Sequence, residues 1–174
     1  MAGLTGDIKT IQYGVPENSQ IVAYPIGATA QLYSGAVALI SGTGGTVTQG
    51  YLKNAATGSA SDIVAGIVGD YAGGTAVAVG PGLLGGSTDG AVWANVRTGT
   101  FYIQSGTGSN ALTEASVGST VYYGGENANG PIANKTQGAT PALGILLPQD
   151  PGITNNPVPG STYWPVKLST VGGP

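Results

Sequence analysis

Eight carboxylates carry whatever acid–base chemistry this sequence can do: Asp7, Glu17, Asp62, Asp70, Asp89, Glu114, Glu126 and Asp150. Two of them at a suitable separation would suffice for glycoside hydrolysis. Most stand in or beside turn-like stretches such as "STDG" and "GGENANG", where acids are ordinarily just solvated. The chain has no histidine and no cysteine. That removes Ser–His–Asp and Cys–His arrangements, thiolate and imidazole metal ligands, and disulfides. No run matches the clustered oxygen ligands of a calcium loop. No catalytic, cofactor-binding or metal-binding residue is assigned, no cofactor is expected, and the chain reads as a non-enzyme.

One phosphate-binding pattern has to be weighed. "GPGLLG" at 80–85 matches G-x-G-x-x-G and follows an expected strand. A dinucleotide site needs a helix to open there, so that its N-terminus faces the pyrophosphate. "GSTDGAVWANV" follows instead, which is turn and strand, so the match is rejected. Leu83 and Leu84 read as an apolar loop tip buried under a neighbouring turn. Asn134-Lys135-Thr136 fits a glycosylation sequon, but no export signal accompanies it.

The elements that would position any site are strands. Charged residues make up only 7% of the 174, against roughly 25% in an ordinary domain. Hydrophobic residues make up 41%, enough for a core. The 32 glycines punctuate short runs rich in Val, Ile, Thr and Tyr, the pattern of many short strands joined by tight turns. Strands are expected at 29–32, 36–41, 46–52, 63–70, 76–79, 91–97, 100–104, 119–123, 131–134, 142–147 and 162–168, with a short helix near "ALTEA". The fold class is all-β, a compact barrel-like domain over 29–174. Residues 1–28 read as an extended arm with a strand near 20–24; a first strand packed on its own domain is the competing reading. Apolar arm residues Ile8, Ile11, Tyr13, Val15, Ile21 and Tyr24 are its candidate contacts.

Five Lys+Arg cannot neutralise many phosphates, so nucleic acid is not an expected partner. No apolar run is long enough to span a bilayer as a helix, and no secretory signal is visible, so synthesis in the cytoplasm without a membrane partner is expected.

The stretch "AVWANVRTGTFYI" (91–103) gathers a tryptophan, the sole arginine and the sole phenylalanine. Alternation puts Ala91, Trp93 and Asn95 on one face of a strand and Val92, Ala94 and Val96 on the other. An internal repeat bears on its role. "LYSGAVAL" matches "VYYGGENA" (Tyr33 with Tyr122), and "GYLKNA" matches "GPIANK" (Asn54 with Asn134). "IVAGIVGD" matches "PALGILLPQD" (Ile67 with Ile145), and "VWANVR" matches "YWPVKL" (Trp93 with Trp164). The order is the same in both copies, so two related β halves are expected, at 29–104 and 117–170. Trp93 and Trp164 then read as paired core anchors, with Phe101 returning to the core and Arg97 and Lys167 reaching water.

The series "GATAQLYSGAVALI", "GYLKNA", "IVAGIVGDYAGG", "VRTGTFYI", "LTEASVGSTVYY", "PALGILL", "YWPVKL" resembles the head-decoration, or capsid cement, proteins of tailed bacteriophages. The resemblance covers about 28–170; "LTEASVGSTVYY" and "VRTGTFYI" are its nearest matches. It implies a β-barrel or β-tulip fold, a homotrimer, and binding to the major capsid protein on the outer surface of the virion, where it would cement contacts between capsomers. The N-terminal arm would lie on the shell. "LLPQDPGITNNPVPGSTYW" (146–164) departs from the pattern. A glycan- or receptor-binding β-domain of a phage tail or cell surface is the alternative, because exposed Tyr and Trp can stack on sugar rings.

Overall fold

The computed structural model describes residues 20–42, 47–74, 82–149 and 162–168. Among these residues twelve strands follow one another: β1 (Ile21–Pro25), β2 (Gln31–Leu32), β3 (Val37–Ile40), β4 (Leu52–Lys53), β5 (Ile63–Gly74), β6 (Leu83–Leu84), β7 (Val92–Arg97), β8 (Thr100–Ser105), β9 (Thr120–Asn127), β10 (Gly130–Asn134), β11 (Ala142–Leu146) and β12 (Tyr163–Leu168). The all-β expectation holds. The helix expected at "ALTEA" is a single 3₁₀ turn, Glu114–Ser116. Of the strand expected at 46–52, the described residues keep only Leu52, in Leu52–Lys53, because Gly50 takes φ 91° and the Tyr51 N–H donates to the Thr48 carbonyl at 3.4 Å, which closes a turn. The strand expected at 76–79 lies outside the described residues.

Five strands from the first half form a sheet in the order β1-β7-β5-β3-β4. Five from the second half form a closed barrel, and reading round it from β8 gives β8-β12-β11-β9-β10. Taken in chain order, these are the same arrangement. Each neighbour pair is antiparallel in both halves. The barrel closes through parallel β8 and β10, with Ser105 opposite Ala133. The first sheet curls the same way and joins its edges through one parallel bridge, Ile26 to Leu52.

Hydrogen bonds fix the correspondence residue by residue. Gly27 N–H donates to the Leu52 carbonyl at 2.9 Å, and Gly106 N–H to Ala133 at 2.8 Å. Gly35 N–H donates to Val68 at 2.8 Å, and Gly118 N–H to Leu146 at 2.9 Å. Thr98 N–H donates to Gln20 at 2.9 Å, and Leu168 N–H to Gly99 at 3.1 Å. The structural halves therefore run from 20 to 98 and from 99 to 168, not 29–104 and 117–170. The segment near 20–26 is the opening strand of the first half rather than part of an arm, and Ile26 is fully buried.

The interior of the first half holds Ala38, Leu52, Ala65, Val68, Ala94 and Val96. The second barrel holds Phe101, Ile103, Val121, Tyr123, Leu143, Leu146, Trp164 and Val166. Four residues on the opposite side of β3 and β5, namely Val37, Leu39, Val64 and Ile67, belong to the second core. The halves are thus joined through one apolar layer. Glu126 of β9 sits buried at this junction and accepts the Val37 N–H at 2.7 Å.

A candidate binding surface on the first half

Three of the described acids, Asp62, Asp89 and Glu126, are spent on structure. Asp62 forms a buried ion pair with Lys53 at 2.9 Å and accepts the N–H groups of Gly42 and Ser59. Burial pushes its carboxyl up, but those donors and the Lys53 ammonium outweigh it and hold the group below the usual range. Asp89 accepts the Ala28 N–H at 2.7 Å; bonds from Thr48 and Ala28 hold it low as well. Burial and the neighbouring Glu126 carboxylate push the Tyr123 phenol far above its ordinary value. Asp7, Glu17 and Asp150 lie outside the described residues. Among the described residues no three His, Cys, Asp or Glu side chains cluster as metal ligands. No helix of the described residues is long and apolar enough to cross a membrane.

What remains is a surface. On β7 the burial alternates: Val92, Ala94 and Val96 point into the first core, and Trp93, Asn95 and Arg97 point the other way. Trp93 is 40% exposed and is not a core anchor. The register explains the difference. Arg97 and Lys167 do correspond, since each pairs with an isoleucine of the next strand, Ile67 and Ile145. Trp93 lies four residues before its base and Trp164 only three before its own. The one-residue slip flips the side chain, because strand faces alternate. Trp164 corresponds to Ala94, points inward, and is 5% exposed. Phe101 is fully buried, as expected. Tyr33 and Tyr122 are not equivalent either, since the matching turn glycines are Gly35 and Gly118, with φ 87° and 82°.

Beside Trp93 the surface continues onto β1. Pro25 stands opposite Trp93, Ala23 opposite Asn95 and Ile21 opposite Arg97. Ile21 is 68% exposed. On the other flank, Gly73 of β5 stands opposite Trp93. The indole N–H donates to the Gly90 carbonyl at 3.0 Å, and Asn95 Nδ2 donates to Asp70 Oδ1 at 2.9 Å. Of the proposed arm contacts, Ile21 is on this surface, and Tyr24 is half-buried against the first core. Ile8, Ile11, Tyr13 and Val15 lie outside the described residues. Leu83 is buried in the short β2–β6 pair, and Leu84 is partly exposed.

β1 is also an edge. β7 covers one side of it, and among the described residues the other side is bridged only at Ile26. Pro25 has no N–H, so the parallel ladder that includes Gln104 in the second barrel cannot continue past it here.

The sequence and the structure were compared with models of protein families, with curated proteins and with solved structures, and none matches.

Proposed function

We propose that this is a virion structural protein that binds the outer surface of a phage capsid and stabilises contacts between capsomers. Its partner is the major capsid protein, and it acts as a homotrimer on the outside of the virion. The sequence resemblance over 28–170 motivates the reading. The observation that carries it is the uncharged edge strand β1, with Ile21 exposed and a backbone edge that is open before Ile26 among the described residues. Open edges accept a strand from a partner, and repeated contacts on a rigid lattice reinforce one another. With so few charges, such attachment depends little on salt.

The test is co-sedimentation with undecorated capsids. Deletion of residues 1–19 is the informative truncation, since cutting to residue 28 would remove β1 and Ile26 from the core. Weaker binding with an unchanged melting temperature supports a role for the N-terminal segment; undiminished binding removes that role. A full-length protein that ignores capsids ends the reading. The second reading, a glycan- or receptor-binding domain, is favoured by one observation: Trp93 presents part of its ring to solvent.

A further inference from the structure

We propose that the outward face of β7 is a binding site for a neutral oligosaccharide, with Trp93 as stacking platform, Asn95 and Asp70 as hydrogen-bonding groups, and Arg97 at the far end. The proposal rests on the glycan-binding reading and names its site.

Trp93, Asn95 and Arg97 occupy alternate positions of one strand. At about 3.4 Å per residue they span roughly 14 Å, the reach of a short oligosaccharide. Aromatic, amide and guanidinium groups therefore follow one another along a line. A pyranose offers an apolar face of C–H groups and a rim of hydroxyls, which is what this row can meet. The indole is fixed before any ligand arrives, because its N–H is held by the Gly90 carbonyl. Pre-fixed groups lose little freedom on binding. The strand opposite Trp93 contributes Gly73, and a Cβ built there would meet nothing within 4 Å. Among the described residues the space beside the ring is thus open on that flank, and Pro25 stands on the other. Asn95 and Asp70 hold each other through one hydrogen bond, which keeps the amide oxygen and the second carboxylate oxygen oriented for hydroxyl donors.

The test uses the full chain and a panel of neutral oligosaccharides of glucose, galactose, mannose and N-acetylglucosamine, read by calorimetry and by tryptophan fluorescence. Trp164 is buried, so the ligand-dependent signal should come from Trp93. At least one member of the panel should bind, with Trp93→Ala weakening it about tenfold or more, Trp93→Phe retaining most of it, and Asn95→Ala costing about three- to tenfold. No binding at millimolar concentration, or equal binding by folded Trp93→Ala, overturns the proposal. So does loss of capsid binding in Trp93→Ala with no saccharide bound, which would make this face a protein contact. Saccharide binding by a protein that ignores capsids supports this site and ends only the capsid reading.

Discussion

Lys53 and Asp62 meet at 2.9 Å with both side chains almost wholly buried, in a chain that has thirteen charged residues in all. A buried pair adds little over an apolar replacement, but a lone survivor is costly, about 3–5 kcal/mol. Asp62→Asn should therefore destabilise strongly at neutral pH, measured by urea unfolding. The folded carboxyl lies below its ordinary 3.8, so its contribution is complete above that value and is lost as pH falls through the lower folded value. The gap between wild type and variant should be flat near neutrality and narrow below about pH 4. The tryptophans give a second contrast at this scale. Trp164→Ala removes a large core side chain and should cost about 3–5 kcal/mol. Trp93→Ala, on the surface, should cost about 1 kcal/mol or less. Alternation within "AVWANVR" already placed Trp93 opposite the apolar Val92, Ala94 and Val96; pairing it with Trp164 by type obscured that signal.

At the scale of the element, each half uses a glycine where two strands crowd together. Gly66 of β5 lies against the Arg97 carbonyl, and Gly144 of β11 lies against the Lys167 carbonyl. A methyl at either would collide with backbone, which cannot swing aside as a side chain can. Gly66→Ala and Gly144→Ala should each cost about 1–3 kcal/mol in thermal or chemical unfolding, the overpacking range. Alanine at Gly138, which has open space around it, should be near neutral. The strands themselves were legible from short apolar runs between turn residues. Their lengths were not: the described residues before Leu52 are turn where strand was expected, and β9 runs on through "GGEN" to Asn127, because pairing partners decide where a strand stops.

At the scale of the whole molecule, the two halves share an arrangement but not a surface. The side of β3 and β5 that faces the second half carries Val37, Leu39, Val64 and Ile67. The corresponding side of β9 and β11 carries Thr120, Tyr122, Ala142 and Ile145, none of them fully buried. Composition thus follows which copy is covered. Because the first half lends those four residues to the second core, the halves should unfold together. One calorimetric transition is expected, and Leu39→Ala should lower it as a unit, by about 2–5 kcal/mol at a fully buried leucine. Two separated transitions would show independent halves. The sequence by itself determined the strand-and-turn composition, the lack of thiol and imidazole chemistry, and the existence of an ordered repeat, because these follow from residue types and their order along the chain. The tertiary structure alone decided where the copies begin, that Trp93 and Trp164 do not occupy equivalent positions, and that Asp62 finds Lys53. Those depend on register and on which surfaces cover one another, and a one-residue slip in register reverses the face of every side chain on a strand.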